Sequence, residues 1–76
     1  MSLFIAVPVH KHFTQVWLDT DEVRIYIAEI IHVAHKGWEL HMRTAADVLK
    51  DNTTRALKVF ADEQINNLKI LERLTS

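Results

Sequence analysis

Histidines and acids carry most of the potential chemistry in this 76-residue chain, which has five histidines and no cysteine. Glu29-Ile30-Ile31-His32 has the Glu-x-x-His spacing by which helical bundles hold metals through carboxylates. Such sites point inward. On a helix Glu29 and His32, with His35 and Glu39, fall on the polar side, so the spacing reads as a solvated face. No metal or cofactor is expected.

His10-Lys11-His12 offers two imidazoles and an ammonium to an anion, and Arg24 is a further cation. Grouped with Trp17 and Tyr26, these residues form a basic and aromatic set suited to an anionic metabolite or nucleotide. The expected place is a pocket between subunits. His41 and Gln64 stand at the centres of two apolar faces. Buried polar groups need partners, so these two are expected to bond each other, or to bond across a subunit axis and fix register. There is no nucleophile motif, phosphate-binding glycine loop or zinc-protease helix. The carboxylates are dispersed, and no acid–base pair stands out. The chain is therefore read as non-enzymatic.

The elements that position these residues follow from periodicity. Asp19-Thr20-Asp21-Glu22 has the grammar of a capping box, with Leu18 and Val23 placed as a hydrophobic staple. A helix from Asp19 to Lys50 places Val23, Ile27, Ile30, Ala34, Trp38, Ala45 and Val48 within about 60° of His41. Tyr26, Ile31, Val33, Leu40, Met42 and Leu49 widen the apolar arc to roughly 200°, against about 100° for an ordinary surface helix. That excess calls for a second packing neighbour. Val23, Tyr26, Ile27, Ile30, Ile31 and Trp38 are thus the expected oligomer interface. Gly37, the one glycine, lies inside this stretch and reads as a point of close helix approach beside Ala34 or as a kink.

Poor helix formers at Asp51-Asn52-Thr53-Thr54 mark a turn, and a second helix runs from about Thr54 to Leu74. Leu57, Phe60, Ala61, Gln64, Leu68, Leu71 and Leu74 form its seam. Antiparallel pairing brings His41 to Gln64 and Trp38 to Asn67 or Leu68. Before the helices, Leu3 to Val7 is a run of strand formers ended by Pro8. It reads as an extended arm or edge strand, or as the start of a hairpin with Phe13 to Leu18. The competing reading begins a short helix at Pro8. The expected fold is mainly α: one domain over residues 1–76, a two-helix hairpin at about 19–50 and 54–74, assembling as a helical bundle.

Composition bounds the function. A net charge of −1 and a hydrophobic fraction of 49% fit a packed protein and disfavour a phosphate-driven nucleic-acid binder. Nothing approaches the roughly 20 apolar residues of a membrane span, and no basic leader is visible, so the cytoplasm is the expected location. At this size a single core is marginal, and self-association is a common remedy. The leading expectation is a homo-oligomeric, non-catalytic module that adapts, inhibits or regulates a protein partner. A small-ligand binder is the alternative. A weak DNA-binding regulator comes third, because clustered positive charge is missing, and a metal-dependent enzyme last.

Overall fold

The computed structural model describes residues 3–43 and 50–75. Four strands, β1 (Phe4–His10), β2 (Phe13–Asp19), β3 (Arg24–Val33) and β4 (Gly37–Met42), precede one helix, α1 (Asp51–Thr75). The strands form one antiparallel sheet in the order β1-β2-β3-β4. The mainly α, two-helix hairpin is therefore corrected to a four-stranded meander with one helix. Of the two expected helices, only the second is present, beginning at Asp51 rather than near Thr54. The expected first helix, 19–50, is replaced over Arg24–Met42 by β3 and β4. Ala45, Asp47, Val48 and Leu49, also assigned to that helix, lie outside the described residues. At the N-terminus the hairpin reading is the one observed, with β1 and β2 joined by a short turn.

The correction has local causes. Val23, Ile25, Ile27, Ile30, Ile31 and Val33 are β-branched, which restricts χ1 on a helix but packs well on a pleated surface. The apparent helix cap is a turn between strands. The Thr20 Oγ1 accepts from the amides of Glu22 (3.3 Å) and Val23 (3.0 Å). The Thr20 amide donates to the Val23 carbonyl at 2.8 Å. Residues that cap helices close turns by the same side-chain-to-backbone bonding. A second turn follows Val33, whose carbonyl accepts from the Lys36 amide at 3.0 Å. His35 has φ +69° at the third position of that turn, as a type II turn requires, and Gly37 has φ +86°. Gly37 thus opens β4 in a left-handed conformation and makes no helix contact.

Residues opposite each other on paired strands share a face. Phe4 pairs with Leu18, Ala6 with Val16, and Pro8 with Thr14. Thr14 continues to Ile30, Val16 to Ala28, and Ile30 to Leu40. This is the face covered by α1. Val16, Ile27, Ala28 and Ile30 are fully buried there, and Leu57 and Ala61 of α1 are 1% exposed. The Phe4 and Phe60 rings lie 5.6 Å apart. A bulge between Val16 and Trp17 leaves Ile27 as the extra residue of β3, so the neighbours Ile27 and Ala28 both enter the core. The other face carries Ile5, Val7, Gln15, Trp17, Tyr26, Glu29 and His41.

α1 begins where the Thr54 amide reaches the Lys50 carbonyl at 3.0 Å. Asp51 in its first turn and Arg73 in its last suit the helix dipole. Its 25 residues span about 37 Å. The C-terminal turns carry Ile70, Leu71 and Leu74 with more than half of each exposed. No helix among the described residues is long and apolar enough to cross a membrane.

Candidate functional site

Two surfaces gather the polar and aromatic side chains, and the strand period decides which residue joins which. The first is the face of the sheet that α1 leaves open. Trp17 and Tyr26, opposite each other on β2 and β3, stack with centroids 5.2 Å apart and planes at 17°. The Trp17 Nε1–H donates to the Gln15 Oε1 at 3.0 Å. Beyond them the Tyr26 hydroxyl donates to the Glu29 Oε1 at 2.7 Å, and Arg43 donates to the same oxygen at 3.2 Å. The Arg43 guanidinium also lies 4.1 Å from the Tyr26 ring centroid, a cation–π contact.

The titration of this pair follows from its contacts. Burial, then the bond to Glu29, raises the Tyr26 phenol above its ordinary value. The Tyr26 hydrogen bond holds the Glu29 carboxyl below the usual carboxylate range, and Arg43 adds to that effect against the opposing cost of burial. Next to this network, Ile5, Val7, Gln15, Trp17 and Arg24 line a shallow cleft of about 320 Å³. Arg24 is paired with Asp19 at 3.2 Å.

The second surface is a cleft of about 410 Å³ at one end of the molecule, between the β1–β2 turn and the last turns of α1. His12 stacks on His32, with centroids 4.9 Å apart and planes at 25°. His10 lies 5.9 Å from His12, and its Nδ1 accepts the His12 amide at 3.2 Å. Trp38 closes the back, its Nε1–H donating to the Glu72 Oε1 at 2.9 Å. The His32 Nε2 is 3.7 Å from the same oxygen.

These placements revise several sequence expectations. His41 and Gln64 do not meet. His41 is on the open face, 2.9 Å from the Glu39 Oε1, while Gln64 belongs to α1 on the other side of the sheet. Glu29 and His32, three apart on a strand, point to opposite faces, so the Glu-x-x-His spacing assembles nothing. In the expected interface set, Ile27 and Ile30 are fully buried within the chain and are unavailable to a partner. Val23, Tyr26, Ile31 and Trp38 keep some exposure. The expected ligand set splits in two: His10, Lys11 and His12 join the end cleft, whereas Trp17, Arg24 and Tyr26 belong to the open face.

Sequence reasoning missed Ile5, Val7, Arg43 and Glu72, and placed Glu29 only on a solvated face. The missed signal was the period of two along β1 and β2, where Ile5, Val7, Gln15 and Trp17 alternate with core residues. No protein-family model, curated protein or solved structure matches the chain.

Proposed function

We propose that this protein is a non-catalytic interaction module, acting in the cytoplasm, that associates with a second copy of itself through the open face of its sheet. The observation that carries this reading is the apolar half of that face. Ile5 is 42% exposed and Val7 39%, and both line a cleft with Trp17. Aromatic anchors beside apolar hollows are typical interface hot spots. Two charge pairs around the patch are closed within the chain, Asp19 with Arg24 and Glu29 with Arg43, and the His41 ring is hydrogen-bonded to the Glu39 carboxylate. Covering the patch therefore strands no lone charge from these pairs.

The thinness of the core supports the same reading. Among the described residues only seven apolar side chains are buried. A domain of this size is marginal unless further surface is covered.

The face, rather than the β1 edge, is the contact. The Asp19 amide bonds the Leu3 carbonyl at 2.8 Å, so up to the register shift after Pro8 the odd-numbered residues of β1 bond β2 and the even-numbered ones face outward. Pro8 occupies an outward position and has no amide to offer, a common guard against edge-to-edge pairing. Four strands at about 4.8 Å, each contributing about 20 Å, give a face of roughly 400 Å² in projection. That is smaller than the roughly 800 Å² of accessible surface each partner gives to a standard interface. The dimer is accordingly expected to be weak, with a Kd on the order of micromolar.

The test is sedimentation equilibrium of the full chain and of Trp17→Arg. The wild type is expected to dimerise in the micromolar range, and Trp17→Arg to weaken this at least about tenfold with an unchanged far-UV spectrum. A wild type that stays monomeric at millimolar concentration overturns the reading, and so does a dimer indifferent to Trp17→Arg. Monomers whose Trp17 fluorescence responds only to another protein would transfer the face to a foreign partner.

A further inference from the structure

We infer that the end cleft is a binding site for a small organic phosphate, separate from the open face and complete within one chain. Three of the five histidines meet there, brought from the β1–β2 turn and from β3. Lys11 adds an ammonium on the same rim. Among the described residues lining the cleft the acid is Glu72, whose carboxylate already accepts from Trp38 and lies near His32. The imidazoles and the Lys11 ammonium therefore present N–H donors at the rim, His10 through its Nε2 because its Nδ1 accepts the His12 amide.

The ligand class follows from the two walls. His10, Lys11 and His12 present donors suited to a phosphate at the mouth. Pro8, Leu68 and Leu71 make an apolar wall, and Thr14, 4% exposed, lines the cleft beside them. A cleft of about 410 Å³ lies within the range of small-molecule sites, roughly 300–1,000 Å³. An organic body on the apolar wall with its phosphate at the histidines uses both. A metal ion fits worse. The His12 and His32 planes are nearly parallel, so their in-plane lone pairs do not converge on one point. Among the described residues no three histidine, cysteine or carboxylate side chains form a group able to hold a metal.

The experiment is a titration of the ¹⁵N-labelled full chain with adenosine monophosphate and, separately, with inorganic phosphate, followed by NMR. At about pH 6, adenosine monophosphate is expected to move the amides of His10–Thr14 and Leu71–Thr75 and the indole N–H of Trp38. Lys11→Gln combined with His12→Gln should abolish the shifts, while Arg24→Gln on the open face should leave them intact. The spectrum of each variant shows whether it is folded. Three results would overturn the site: no saturation by about 10 mM, shifts confined to Trp17 and Arg24, or inorganic phosphate binding as tightly as the nucleotide. None of them depends on the oligomeric state, so this proposal and the dimer fail separately.

Discussion

The two faces of one sheet have been given opposite tasks by residues that alternate along the same strands. On the helix side, Val16, Ile27, Ala28 and Ile30 are fully buried under Leu57 and Ala61. On the open side, Ile5, Trp17, Tyr26 and Glu29 meet no second layer among the described residues. An antiparallel sheet tolerates a solvated face when its residues are polar. Here the charged half, around Glu29, Glu39, His41 and Arg43, obeys that rule. The half around Ile5, Val7 and Trp17 breaks it, and that breach is what supports the proposed contact.

The sharpest way to break this comparison is to delete equal volume from each face. Ile30→Ala should destabilise the fold by about 2–5 kcal/mol, since it removes methyl groups from a fully buried site and leaves a cavity. Ile5→Ala should cost at most about 0.5 kcal/mol when urea unfolding is run below the dimerisation range. Equal losses at the two positions would mean that the open face is covered within the monomer.

A smaller effect sharpens the charged half. Glu29 titrates below the ordinary carboxylate range when folded. Its contribution is therefore present above the unfolded carboxylate value, about 4.3, and is lost as pH falls through the folded one. Glu29→Gln should lower stability by about 1 kcal/mol near neutrality. The gap to wild type should close as the pH drops below about 4. A gap that stays constant down to low pH would show that the charge of Glu29 has no part in it.

The smallest change concerns the turn between β3 and β4. His35 holds φ +69°, which costs an L-residue strain that glycine avoids. Glycine also loses more entropy on folding, so His35→Gly should gain less than about 1 kcal/mol. A thermal melt that shows a loss would place the His35 side chain in a stabilising contact.

How much of this was legible beforehand varies along the chain. α1 was readable because Leu57, Phe60, Ala61, Gln64 and Leu68 keep helical spacing, and only its own residues are needed to form it. The β3–β4 segment was misread as a helix for two reasons. The bulge at Ile27 breaks the alternation that reveals a strand, and the Asp19–Glu22 turn imitates a helix cap. The apolar arc of roughly 200° was a genuine anomaly with the wrong cause. It arose because apolar residues serve both faces of a sheet, which a helical wheel smears into one broad stripe.

The sites show the same division. The importance of His10, Lys11, His12, Trp17, Arg24 and Tyr26 as chemistry-bearing residues could be read from their types. Their separation into two surfaces could not, because it depends on strand register and on where α1 crosses.

By itself the sequence determined the C-terminal helix, the absence of disulfide chemistry and an apolar content too large for one thin core. Tertiary structure alone decided that residues 24–42 pair as strands, that Glu29 and His32 part company, and that His32 joins His12 beneath Glu72. The physical reason is that helix bonds close within four residues of the chain. Sheet bonds and the clefts they shape close between residues far apart, where local pattern carries little information.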